Sequence, residues 1–119
     1  MKAPRIVCIC GSVRFKSDFG RAARYESEKG RIVLSVGSFI HYDDLISASA
    51  DERQRRRFAR KKNALDRLHM KKIEVADEIL VIDRDRYIGG QTRKEILYAM
   101  KLRKKIRRMS EEEKKWWPI

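Results

Sequence analysis

The sequence contains no apolar run of about 18 residues or more, the least that a membrane-crossing helix needs, so no span is predicted. Cysteine is scarce: Cys8 and Cys10 only. They sit two apart in an apolar run that reads as a strand, where their side chains share one face but cannot bond to each other. With no histidine or further cysteine near them in sequence, the expectation is two buried reduced thiols and no metal or other cofactor. Acidic residues are also few, 17 against 30 Lys and Arg, which leaves a formal charge of +13. Such a field attracts anions, whether phosphates, nucleic acid or an acidic membrane, without choosing among them. No internal repeat, low-complexity linker or second domain is visible. The expectation over 1–119 is one domain with one modest core, and the 42% of hydrophobic residues excludes a disordered chain. The apolar run after Met1-Lys2-Ala3-Pro4-Arg5 is too brief for a signal segment and no small-residue cleavage site follows, which predicts a cytoplasmic protein.

What is present alternates. Ile6 to Cys10 is continuously apolar, the pattern of a strand buried on both faces. Gly11-Ser12 stops it. Phe15 to Lys29 has helical spacing through Phe15, Phe19, Ala22 and Ala23, with Gly30 just beyond. Arg31 to Val36 predicts a second strand. Asp44 to Ala76 reads as polar, very basic helix, with Arg55-Arg56-Arg57 in its first half and Leu65, Leu68, Ile73 and Ala76 in its second. Glu78 to Asp83 predicts a third strand, Thr92 to Arg103 a helix, and Ile106 to Met109 a short fourth strand. The tail ends in Trp116-Trp117-Pro118. Strands alternating with helices predict an α/β fold: a doubly wound, Rossmann-like parallel sheet of four to five strands, order 2-1-3-4, flanked by helices.

Open parallel sheets bind ligands beyond the carboxyl ends of their strands, where the strand order reverses. That order puts the loop after Cys10 beside the loop after Asp83, and so brings Ser12, Arg14 and Glu95 to one pocket. Gly11-Ser12-Val13-Arg14 offers a close backbone approach, a hydroxyl, helix N–H groups and a guanidinium fork to a phosphate, or else Ser12 or Ser17 only caps the helix and Arg14 is solvated. Glu95 could attack an anomeric carbon. Thr92-Arg93-Lys94-Glu95 equally fits a capping box, in which the carboxylate only accepts a backbone N–H. His69 shares a helix stripe with Asp66 and Ile73 that approaches the third strand, as a packed histidine or a proton donor. Asp77 is a loop carboxylate or a further acid. The basic stretch from Arg53 to Lys62 is a solvated face or a nucleic-acid surface; it carries only Phe58 for base stacking, so nucleic acid is not favoured.

Three segments carry a family resemblance. Ile9-Cys10-Gly11-Ser12-Val13-Arg14-Phe15 is similar to the opening Gly-Ser-x-Arg loop of 2-deoxynucleoside 5-phosphate N-hydrolases. Leu68 to Ile82 resembles their passage from the middle helix through an Ala-Asp pair, here Ala76-Asp77, into the third strand. Tyr87-Ile88-Gly89-Gly90-Gln91-Thr92-Arg93-Lys94-Glu95 resembles the box around the nucleophile of nucleoside 2-deoxyribosyltransferases. The resemblance to this nucleoside 2-deoxyribosyltransferase-like family covers roughly residues 5 to 109. It implies a hydrolase that cleaves the N-glycosidic bond of (deoxy)ribonucleoside 5-monophosphates, or a transferase acting on a nucleoside. Glu95 would be the nucleophile, with Gly11, Ser12 and Arg14 on the 5-phosphate and Gly89, Gly90 and Thr92 around the substrate. His69 stands where the family carries a carboxylate that helps protonate the departing base. Gly89 and Leu97 also depart from the family pattern. The family further implies a homodimer, for which the apolar Trp116-Trp117 tail would supply partner surface. A nucleotide sensor without turnover is the alternative.

Overall fold

A computed structural model describes residues 3–116. Strand β1 (Ile6–Gly11) is followed by a 3-10 turn (Val13–Phe15) and helix α1 (Lys16–Glu28). Then come β2 (Ile32–Leu34), α2 (Tyr42–Ala48), α3 (Glu52–Val75), β3 (Glu78–Ile82), α4 (Gly90–Lys101), β4 (Lys105–Arg108) and the short α5 (Met109–Glu112). The strands form one all-parallel sheet in the order β2-β1-β3-β4. The chain winds outward from β1 to β2, then crosses back over α2 and α3 to β3 on the far side of β1, so the strand order reverses between β1 and β3.

The central strands read as uninterrupted apolar runs because both of their faces are covered. Val7, Ile9, Leu80 and Ile82 face Phe19 and Ala22 of α1 together with Met109 and Trp116. Cys8, Cys10, Ile79 and Val81 face Ile73 of α3 and Ile96 and Ala99 of α4. Gly11 ends β1 where a Cβ would lie 2.9 Å from the Ile82 side chain. Its glycine thus makes room for β3, not for a ligand.

Two ion networks and a hydrogen-bonded pair tie the elements together. The fully buried Glu26 receives both arms of Arg107, at 2.6 and 3.0 Å, and Arg31 at 3.1 Å. Arg84 forks onto Asp18 at 2.8 and 3.1 Å and onto Glu113 at 2.9 and 3.2 Å. Asp83 accepts from the Ser110 amide at 2.8 Å and its hydroxyl at 2.6 Å.

Several expectations are corrected. The single basic helix is two helices, because Asp51 caps a new start by accepting from the Arg53 amide at 3.0 Å. Their hairpin makes the molecule elongated, 53 × 29 × 21 Å. Twenty-four residues of α3 extend about 36 Å, twice the length of a five-residue strand, and only His69 and Ile73 are buried from it. Leu68, expected in the core, is exposed, as are Leu97 and Met100 of α4. Trp116 is not partner surface: it is buried against the chain's own core beside Tyr25, and its carbonyl accepts from Arg24 at 3.2 Å. Trp117 lies outside the described residues. Among the described residues no helix is long and apolar enough to cross a membrane.

Candidate functional site

Parallel strands direct all their carboxyl ends to one edge, and a cavity of about 260 Å³ opens there. Its walls are the loops after β1, β2 and β3, the start of α2, the middle of α3 and the first turns of α4. The size falls just below the usual range of ligand pockets, about 300–1,000 Å³, and suits one small molecule.

Gly11, Ser12 and Arg14 line one wall, Gly89, Gly90 and Thr92 another, and His69 and Glu95 the floor. Sequence reasoning placed these eight together, and they are together. Asp77 is not among them. It precedes β3, so it lies at the amino edge of the sheet, where its carboxylate accepts from the Ile6 amide at 2.7 Å. It is a tie between β1 and the α3–β3 corner and has no access to the cavity.

The first loop differs from expectation in detail. The Ser12 hydroxyl accepts from the Arg14 amide at 3.3 Å, and the Phe15 amide donates to the Ser12 carbonyl at 3.0 Å. Two amides assigned to an anion are therefore used inside the turn. The Arg14 guanidinium stacks 4.4 Å from the centroid of Tyr87, whose ring meets Phe15 edge-on at 5.9 Å. Tyr87 is held in place by the preceding turn, where Asp85 and Arg86 both take left-handed backbone conformations, φ 54° and 61°. Such conformations cost about 1–3 kcal/mol each, and the doubly paired Arg84 pins them. Uncapped amides lie instead at the start of α4, where the N-cap is Gly89 and has no side chain to offer.

The α4 start also removes the capping box. The helix begins at Gly90, so Thr92 is inside it and Glu95 is in its second turn. Glu95 is 6% exposed. Its carboxylate accepts from the Gln91 side chain at 3.3 Å and lies 3.8 Å from His69 Nε2. Burial raises the carboxyl from 4.5 to about 6, against the pull of His69 and Gln91. The α3 stripe reaches β3 through Ile73, in one cluster with Ile79 and Val81, and β1 through His69, whose Nε2 is 3.6 Å from Cys8 Sγ and 3.4 Å from Cys10 Sγ. Burial works to lower the imidazole, but its hydrogen bond to Cys8 and the charges of Cys8 and Glu95 outweigh that, and its pKa is raised above 6.5. The two thiols are indeed buried and unbridged.

Sequence reasoning missed the third wall. Lys62 and Asp66 of α3 pair at 2.8 Å and line the cavity with Asp43 and Asp44 of α2. Asp66 was already visible on the His69 stripe; extending that stripe back at i, i+3, i+4 and i+7 to Lys62 and Leu65 could have revealed this wall. Lys72 of α3 donates to the Ser35 carbonyl at 2.7 Å and anchors the loop after β2 against it. The cavity is therefore cationic at its Arg14 mouth and carboxylate-rich along α2 and α3. No family model, curated protein or solved structure matches this chain.

Proposed function

We propose that this chain is an N-glycosidase acting on (deoxy)ribonucleoside 5-monophosphates, with Glu95 as nucleophile. The observation that carries the reading is a desolvated carboxylate, Glu95, on the floor of a cavity whose mouth holds Ser12 and Arg14. A phosphate at Arg14 and at the uncapped amides of α4 leaves the sugar C1 over Glu95, and the carboxylates of Asp43, Asp44 and Asp66 suit sugar hydroxyls and base edges as acceptors. Glu95 attacks C1, the bond to the base breaks, and the His69 imidazolium gives its proton to the departing nitrogen. Water then opens the glycosyl ester, yielding the sugar 5-phosphate and restoring both groups. A second base in place of water makes the same site a transferase. The sequence resemblance of the Gly11–Arg14 and Tyr87–Glu95 segments to the nucleoside 2-deoxyribosyltransferase-like family supports the same assignment.

The chain acts in this reading as a homodimer, supported now by Leu68, Val75, Leu97 and Met100, which α3 and α4 leave exposed, instead of by the tail. The sensor reading has one observation in its favour: His69 Nε2 is already engaged by two thiols. Incubation with a panel of nucleoside monophosphates, with free base read by chromatography, separates the two. Base release from at least one supports the enzyme; saturable binding with no release from any supports the sensor.

A further inference from the structure

His69 Nε2 is crowded. Two thiol sulfurs at 3.4 and 3.6 Å and a carboxylate oxygen at 3.8 Å converge on one nitrogen, which carries at most one proton. One nitrogen cannot hydrogen-bond both sulfurs and the carboxylate at once, and Cys8 and Cys10 are fully buried while His69 and Glu95 meet only the cavity. A cation set among the two sulfurs and the nitrogen engages all three of those atoms. Cys8 Sγ, Cys10 Sγ and His69 Nε2 lie within 4.8 Å of one another. In a tetrahedral zinc site with Zn–S of about 2.3 Å and Zn–N of about 2.0–2.1 Å, sulfur and nitrogen ligands stand about 3.5 Å apart. The two S···N distances here bracket that value.

We propose that Cys8, Cys10 and His69 form a binding site for a thiophilic divalent cation, zinc above all, with the fourth position open to a water from the cavity.

The strand pleat is what builds it. Residues i and i+2 of β1 point to the same face, so Cys8 and Cys10 present both sulfurs to α3, where His69 closes the third position. Two thiolates and an imidazole are a donor set that selects zinc over magnesium or calcium, which take oxygen ligands. Binding takes Cys8 and Cys10 as thiolates and His69 as the neutral imidazole, so their protons go to solvent and the site carries no net charge. Lys72 acts electrostatically on Cys8 and favours its thiolate. The cavity floor at His69 and Glu95 is the way in.

Metal binding rests on this geometry alone. Its consequence rests on the function proposed above: an ion held by His69 removes the proton donor and sets a cation beside Glu95, so zinc and turnover are mutually exclusive.

The test uses the full chain, reduced with a phosphine and freed of metal by a chelator. Titration with Co2+ should give one equivalent bound, with a thiolate-to-cobalt charge-transfer band in the near ultraviolet and the intense visible bands of a tetrahedral ion. Zn2+ should bleach both and raise the melting temperature. Cys10→Ser should lose much of the charge-transfer intensity and weaken Zn2+ at least about tenfold, with its metal-free melting curve checking that it is folded. If Cys10→Ser does not fold, Cys8→Ser takes its place, and the parent spectrum decides in any case. A parent chain that gives only the weak spectrum of octahedral cobalt, or none, overturns the site. A correct metal spectrum with no base released from any nucleotide leaves the site standing and removes only its regulatory consequence. Turnover that survives one bound equivalent of Zn2+ overturns the mutual exclusion.

Discussion

Changing Glu95 to Gln should make the protein more stable at pH 7. A carboxyl whose pKa rises from 4.5 in the unfolded chain to about 6 in the fold favours the unfolded state once it ionises. At about 1.4 kcal/mol per pH unit the penalty is about 2 kcal/mol, and the side chain is buried, so solvent screening does not reduce it. The sign follows from proton counting. Between pH 4.5 and about 6 the folded state holds more protons than the unfolded state, so stability falls as pH rises through that window and stays lower above it. Below 4.5 the carboxyl is neutral in both states and the penalty is absent. The substituted glutamine has nearly the same volume, its amide oxygen still accepts from Gln91, and it never ionises. Urea unfolding of both proteins from about pH 4 to pH 8 should show Glu95→Gln ahead by about 2 kcal/mol at pH 7, a gain of roughly 8 °C in melting temperature for a chain of this size, converging with the parent near pH 4. A variant weaker than the parent by about 1 kcal/mol at every pH would mean that Glu95 works as a helix cap and would refute the buried, strained carboxylate.

Other consequences are as direct. The kcat/KM for base release should rise with pH through about 6 as Glu95 ionises and fall again at higher pH as His69, whose pKa is raised, loses its proton; a profile flat from about pH 5 to pH 9 would contradict this pair of roles. Arg14→Ala should raise KM for a monophosphate by about 10–100-fold, the weight of a charged hydrogen bond, and leave KM for the matching nucleoside nearly unchanged; equal losses on both substrates would remove the phosphate from Arg14. Arg53, Arg56 and Arg57 are exposed, whereas Arg55 ties Glu52 and the Ser49 carbonyl across the α2–α3 turn. Changing the first three together to Gln should therefore leave mononucleotide turnover unaltered, and DNA affinity with a steep salt slope that this change abolishes would make α3 a nucleic-acid surface instead. Sedimentation at micromolar concentration should show a dimer that Leu97→Glu with Met100→Glu dissociates, and a monomeric parent would refute the pairing.

The parts of the fold that were readable from sequence are those whose burial is complete. Val7 to Cys10 and Ile79 to Ile82 are apolar without a break because helices cover both faces, and the alternation with helices then leaves little choice of topology. That topology alone collects Ser12, Arg14, His69 and Glu95 at one edge. Asp77 could have been rejected on the same ground, since a residue that precedes a parallel strand stands at the opposite edge. The α4 start was misread because its cap is Gly89, which has no side-chain signature, while Thr92-x-x-Glu95 imitates one. Leu68 misled as a core residue because helical spacing marks an apolar stripe without saying whether anything covers it. The meeting of His69 with Cys8 and Cys10 could not be read at all: some 60 residues separate them, and only the crossing of α3 over β1 brings them together.

The account stands most directly on base release by the parent protein and by Glu95→Gln, measured side by side. On whichever nucleoside monophosphate the parent cleaves, the variant should bind the nucleotide with nearly unchanged affinity by calorimetry, since Ser12, Arg14 and the start of α4 are untouched. Its turnover should fall by several orders of magnitude, because an amide cannot form the glycosyl ester. Release of free base by Glu95→Gln at the parent's rate, seen by chromatography, would contradict the assignment of Glu95 as the nucleophile.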